Sequence, residues 1–322
     1  MTAPLLQIEN LTVRLTGGGA ARPIVDGVSL HVARGEAVGL VGESGSGKSV
    51  TCRAALGLLP EGAAATGALR LDGDDILTMS PVRLRELRRQ DVSMIFQDPR
   101  ASINPLRRIG DFVTEGMRAG GVLRKDAIRQ AEDLLESVGI REPRAALRRY
   151  PHEFSGGMLQ RVMIAGALAG EPRLLLADEP TTALDVTTQA EVISILTRLQ
   201  AERDMGMLFV THDLELAAAI CDRIYVMYAG RIVEAQSAEG LFGRPRHPYT
   251  VGLLAATPRL DSDQAPHGVP GRPLSLAEAP AGCAFAARCA HARPRCGEGK
   301  PVRRDVDGAQ VACLRVEELI DE

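Results

Sequence analysis

Apolar and polar residues alternate from Leu6 to Leu15, around Ile8, Leu11, Val13 and Leu15, and the alternation resumes from Ile24 to Val32 beyond a flexible Gly17-Gly18-Gly19 stretch. That period predicts antiparallel strands with one buried face. Ala37-Val38-Gly39-Leu40-Val41 is apolar throughout and suits a strand buried on both faces, while Val50 to Leu59 runs without a breaker until Pro60 and suits a helix. Ala68 to Leu71 with Asp72-Gly73 predicts a strand and turn, Ser80-Pro81 an N-cap and first-turn proline, and Val92 to Phe96 a buried strand that delivers Gln97.

From Asp98 to about Tyr150 the period lengthens. Ala127, Ile128, Ala131, Leu134, Leu135 and Val138 follow three-and-four spacing and Gly139 stands where a helix terminates, so this insertion reads as helical. Strand-helix alternation then returns. Strands are expected over 173–177, 207–211, 224–227 and 231–233, and helices from about Val186 to Glu202 and after Asp213. The resulting class is α/β: a mainly parallel sheet covered by helices, with an antiparallel N-terminal subdomain and an inserted helical lobe at about 98–165. Beyond about Gly240 periodicity weakens and Pro245, Pro248, Pro258, Pro266, Pro270, Pro273 and Pro280 recur, so residues 241–322 read as an irregular appendage that needs a staple.

Composition narrows the class. Across 322 residues, 45% hydrophobic and 25% charged side chains describe a globular protein, and a formal charge of -3 gives no case for nucleic-acid binding. No run approaches the roughly twenty apolar residues of a membrane span, and the N-terminus lacks a signal peptide's basic and apolar regions. The expected location is therefore cytoplasmic, with any membrane association made through a partner.

Gly42 to Ser49 reads Gly-Glu-Ser-Gly-Ser-Gly-Lys-Ser, which satisfies G-x-x-x-x-G-K-[ST] between the expected strand and helix. Gly42, Glu43, Ser44, Gly45, Ser46 and Gly47, with Val50 opening the helix, can wrap backbone amides around an anionic phosphate chain. Lys48 can reach the β and γ phosphates, and Ser49 can ligate magnesium. Leu174-Leu175-Leu176-Ala177 ends in Asp178-Glu179. Adjacent acids at the end of a buried strand are costly unless they meet a cation or react, so Asp178 becomes a magnesium partner and Glu179 the base for the attacking water. Phe154-Ser155-Gly156-Gly157-Met158 opens an apolar helix and makes a second anion-seeking corner. One phosphate loop with two such surfaces implies a dimer that shares its nucleotides.

This ordered set resembles the nucleotide-binding subunit of ATP-binding cassette (ABC) transporters over about Leu6 to Val233, and residues 1–240 are taken as that domain. The resemblance implies ATP and Mg2+ as ligands, with Ser49, Gln97 and Asp178 around the metal. It further implies that Gln97 senses metal and permease and that Ser155 and Gly157 touch the γ phosphate held by the opposite subunit. Asp185, in Ala183-Leu184-Asp185, would couple the two sites, and His212, in Val-Thr-His-Asp, would act as the switch on the γ phosphate. Two positions depart from the family. Leu15 stands where relatives stack an aromatic on adenine, which leaves base recognition to weaker apolar contact, and Met158 replaces a glutamine.

His247-Pro248-Tyr249-Thr250 and a cysteine-bearing tail resemble the oligopeptide and dipeptide subgroup, whose members also import nickel. An import ATPase of that kind would work with a second homologous ATPase subunit, a heterodimer being favoured over an identical pair. Two transmembrane permease subunits and an extracytoplasmic binding protein would complete it, with the ATPase at the cytoplasmic face of the inner membrane. The rival classes are a nickel importer of the same subgroup and a mechanical ATPase outside transport. Cys52 and Cys221 read as small buried side chains within helices, whereas Cys283, Cys289, Cys296 and Cys313 crowd the tail with spacing C-x5-C-x6-C-x16-C. The spacing lacks a zinc-ribbon knuckle and leaves zinc, a metal cluster and free thiols open. The resemblance implies a four-iron [4Fe-4S] cluster that cross-links the tail without a redox role.

Overall fold

A computed structural model describes residues 4–16, 21–182, 184–256 and 268–320. The Gly17-Gly18-Gly19 stretch, Ala183, Pro258 and Pro266 lie outside them. The chain divides into two units, one of residues 1–32, 37–78 and 209–322 and the other of residues 33–36 and 79–208.

In the first unit, strands Leu6–Leu15 and Arg22–Val32 pair antiparallel so that Leu6 meets Val32, Ile8 meets Leu30 and Val13 meets Val25. Apolar partners thus share one face, and a register slip would turn them all outward. The three-residue step from Ile8 to Leu11 is a bulge at Asn10, whose φ is +51°. Ala63–Leu71 pairs on the other side of Leu6–Leu15, starting earlier than its apolar residues suggest. A second sheet runs in the order Arg304–Val306, Ala309–Val311, Arg231–Ser237, Arg223–Tyr228, Ala37–Val41. Its last two strands are parallel and the others antiparallel, so the sheet is mixed. All five residues of Ala37–Val41 are buried, as an unbroken apolar run requires.

The second unit holds a parallel pair, Val92–Ile95 beside Leu174–Asp178, and most of the helices. Ile109, Val113 and Met117 bury one stripe of Ile109–Ala119, and Ala127, Ala131, Leu134 and Leu135 one stripe of Arg124–Ser137. Ile128, on the same sequence period, is 38% exposed at the edge of that stripe. Ser80 caps Pro81–Glu86 by accepting from the Arg83 N–H, as its place before a proline predicts.

Three expectations shift. The helix after the phosphate loop is Lys48–Ala54, because the N–H groups of Gly57 and Leu58 turn back to the carbonyls of Ala54 and Arg53 well before Pro60. Cys221 is buried but lies one residue past the helix Leu214–Ile220, in extended conformation. The tail is less irregular than its prolines suggest: Pro248–Ala256 is a helix, and Asp307 and Gly308, both at positive φ, join Arg304–Val306 to Ala309–Val311 as a hairpin.

Candidate nucleotide site

The buried strand Ala37–Val41 delivers the phosphate loop, and Gly47 at φ +99° caps the helix that follows. A Cβ on Gly42 would collide with the Met227 carbonyl oxygen, so the loop can lie against the neighbouring strand only with glycine there. Lys48 is 4% exposed, and its ammonium donates to the carbonyls of Gly42 (2.7 Å) and Glu43 (3.0 Å). The Ser46 N–H donates to the Glu43 carbonyl and the Gly230 N–H to the Ser46 carbonyl, which sets the curvature of the loop. Among the described residues the Ser46 hydroxyl, 3% exposed, has no hydrogen-bond partner, a buried polar group in a loop shaped for anions. Leu15 closes its strand half-buried, paired with Arg22 and Ala63. His212 is exposed in the turn between Gly206–Thr211 and Leu214–Ile220, and Asp213 beside it caps the helix by accepting from the Leu216 N–H at 2.9 Å.

In the second unit Asp178 is buried at the end of Leu174–Asp178, and Glu179 turns out of the strand at φ +49°. A glutamate in that left-handed region is strained, and its carboxylate is aimed by two donors: Gln97 Nε2 at 3.1 Å and the Thr182 hydroxyl at 2.9 Å. Gln97 and Glu179, distant in sequence, therefore meet. Thr182 was invisible to sequence reasoning, because a threonine three residues after an acid is commonplace.

Ser155 is exposed at the N-cap of Gly156–Leu168 and accepts from the Met158 N–H at 3.3 Å. A Cβ on Gly157 would collide with the Thr188 methyl. Thr188 in turn donates through its N–H (3.0 Å) and hydroxyl (2.7 Å) to Asp185, the N-cap of Val186–Glu202. These bonds, the N–H first, hold the Asp185 carboxyl below the usual range. Two helix N-termini are thus packed side by side, one carrying Ser155 and one Asp185.

Cys283, Cys289, Cys296 and Cys313 line one cavity of about 20 Å³ with His247 and His291. All four are free thiols, and burial raises Cys283 to about 11 and moves Cys289 and Cys313 upward too. Among the described residues no group of three or more His, Cys, Asp or Glu side chains is arranged to hold a metal ion. The donor set suits thiolate ligation in chemistry, without converging as the shell of a single ion would.

Residues 25–182 match the family described as ABC transporter, and residues 233–296 match the oligopeptide/dipeptide transporter C-terminal region. The oligopeptide transport ATP-binding protein OppD of Salmonella typhimurium is 43% identical over 319 residues, covering 98% of this chain and 95% of that protein. The chain belongs to this family of ABC transporter ATP-binding subunits. OppD of Bacillus subtilis is 43% identical over 293 residues, covering 89% of this chain and 82% of its own. Among solved structures, the dimeric ATP-binding cassette MJ0796 bound to ADP and Pi aligns with a TM-score of 0.64 at 26% identity, over 72% of this chain and 98% of that one. CbiO1 of Clostridium perfringens, part of the cbiONQ transporter complex, gives 0.65 at 25% identity, over 76% and 92%. This ABC subunit is an ATP-hydrolysing enzyme and uses ATP with magnesium, as its family does. Among the described residues no helix is long and apolar enough to cross a membrane.

Proposed function

We propose that this ATPase powers uptake of di- and oligopeptides, docked at the cytoplasmic face of the inner membrane on two permease subunits that receive peptide from an extracytoplasmic binding protein. Residues 1–240 form the cassette and 241–322 the subgroup's extension. Support for the cargo comes from the match of residues 233–296 to oligopeptide/dipeptide transporters and from the relatives named oligopeptide transport proteins.

In this reading residues 42–50 wrap the phosphates, Lys48 neutralises the β and γ groups, and Ser49, Gln97 and Asp178 hold the magnesium. The metal supplies charge neutralisation on the transferred phosphoryl group. Glu179, aimed by Gln97 and Thr182, takes the proton of the attacking water, and His212 contacts the γ phosphate. The observation that carries the assembly is the helix N-terminus at Ser155, Gly156 and Gly157, with Ser155 exposed and the two glycines half-buried, packed beside the Asp185 cap: an anion-seeking surface, with the apolar Val186 next to that cap 83% exposed. A second, homologous subunit would place its nucleotide there. The dimeric state of the similar MJ0796 cassette supports the same arrangement.

For the tail we propose that the four cysteines hold an iron-sulfur cluster that cross-links it. What supports this reading is four thiols lining one cavity in a segment with little core of its own.

The test of the assembly is Glu179→Gln with MgATP in analytical ultracentrifugation, alone and with the neighbouring homologous subunit. ATP-dependent dimers are expected, and a species that stays monomeric in both mixtures ends the shared-nucleotide reading. For cargo, the reconstituted importer should raise its ATPase rate with binding protein loaded with peptide. Stimulation by nickel alone would transfer the chain to the nickel branch.

A further inference from the structure

Glu43, the second residue of the phosphate loop, is held from outside the cassette. Arg288 grips its carboxylate with both arms of the guanidinium, Nη1 to Oε2 at 2.6 Å and Nη2 to Oε1 at 2.9 Å. That guanidinium is fixed in turn: Nε donates to the Pro270 carbonyl (2.6 Å), Nη2 to the Val269 carbonyl (3.2 Å) and Nη1 to the Tyr228 hydroxyl (3.4 Å). Its side chain is 5% exposed and lies against the rings of Tyr228 and Phe285. A planar fork with every arm used is a rigid anchor rather than a surface ion pair. The backbone of Glu43 is held as well, because its N–H donates to the Tyr249 hydroxyl at 2.9 Å. Tyr249 is fully buried, with its ring 4.7 Å from that of Tyr228 and 5.3 Å from that of Phe285.

The same residue's carbonyl accepts from Lys48, as does that of Gly42. Tail, Glu43 and the phosphate-binding lysine are therefore linked by consecutive bonds. The charge balance matters equally. Glu43 places an anion in a loop built for a polyanion, and Arg288 is the cation that neutralises it.

We propose that the segment after residue 240 sets the ATP affinity of the phosphate loop, with Arg288 and Tyr249 as positioning residues acting through Glu43. The proposal rests on the reading that ATP binds at residues 42–50. Without Arg288, Glu43 keeps its charge, loses its anchor and opposes the phosphates, whereas turnover of bound ATP, which depends on Glu179, is left alone.

The full chain is tested in the reconstituted importer for kcat and KM for ATP, and by equilibrium MgATP binding in a Glu179→Gln background. Arg288→Gln is expected to raise KM and the dissociation constant by about tenfold with kcat within about twofold, and Arg288→Gln with Glu43→Gln to return both to within about twofold of the parent. A merely structural contact would move kcat and the melting temperature along with KM, and that outcome overturns the proposal. An unchanged KM in Arg288→Gln, or a double variant as weak as the single one, overturns the proposal. Should Arg288→Gln lose its cooperative melt, Tyr249→Phe decides: KM is expected to rise about threefold at constant kcat, and an unchanged KM overturns the proposal. If Lys48→Ala binds MgATP as tightly as the parent, the nucleotide-site reading itself has failed, and that outcome is separable from the others.

Discussion

Ala37–Val41 buries every side chain it has, whereas Leu276–Glu278, Ala286–Arg288 and Pro294–Gly297 are single tight turns whose ends are tied by polar groups. The strand is held by area removed from water and by its parallel ladder with Arg223–Tyr228. The turns are held by individual bonds: Glu278 to Ser275 and Arg272, Arg288 to Glu43, and the Cys283 N–H to the Cys296 carbonyl. Apolar burial is shared over many contacts, while a charged hydrogen bond depends on one partner and leaves a buried group unpaired when that partner goes. Chemistry should therefore fail with changes in the cassette, and affinity with changes in the tail.

The largest effect expected is in hydrolysis. Glu179→Gln should lower phosphate release by about 100-fold or more while MgATP still binds, and a tail substitution that cut kcat as deeply would erase the contrast. Next comes stability. Leu40→Ala, at a fully buried strand position, should cost about 3 kcal/mol in denaturant titration, against less than about 0.5 kcal/mol for Val302→Ser at a site 79% exposed.

A third expectation concerns acid. His247 is fully buried, its Nδ1 accepts from the Tyr249 N–H, and burial lowers its pKa from 6.5 to about 4. The unfolded chain takes up that proton first as pH falls, so the contribution is whole above pH 6.5 and drains away towards pH 4. The parent should lose up to about 3 kcal/mol more than His247→Gln across that window, and equal slopes in the two proteins would refute it. The smallest effect is at a cap. Asp213→Ala removes the bond to the Leu216 N–H and should cost about 1 kcal/mol of stability. A loss of ATPase rate beyond that cost would tie the cap to the placement of His212.

Legibility follows the same division. The phosphate loop, the strand ending in Asp178 and the helix start at Ser155 could be read because local pattern and local chemistry coincide there. Val186–Glu202 could be bounded at both ends for that reason. Arg288 could not be found, because its partner is 245 residues away and no local pattern marks an arginine as an anchor. The Asp307-Gly308 hairpin was legible in principle, since Asp-Gly between short strands is a strong turn signal, but the surrounding prolines and cysteines drew the segment towards irregular structure. Ile128 lay on the right period at the wrong edge, and Gly57, at φ +63°, turned the chain back on Arg53 and Ala54 before Pro60 was reached.

Ala309–Val311 pairs antiparallel with Arg231–Ser237, bringing Val311 opposite Glu234. Shortening the gene to a minimal cassette ending near residue 240 would strip that lining away and open the strand edge around Val233, Glu234 and Ala235. Such a bare margin recruits strands from other molecules. The trimmed protein should precipitate or form swapped oligomers, and any solubility it kept would have to come from a mate covering the gap.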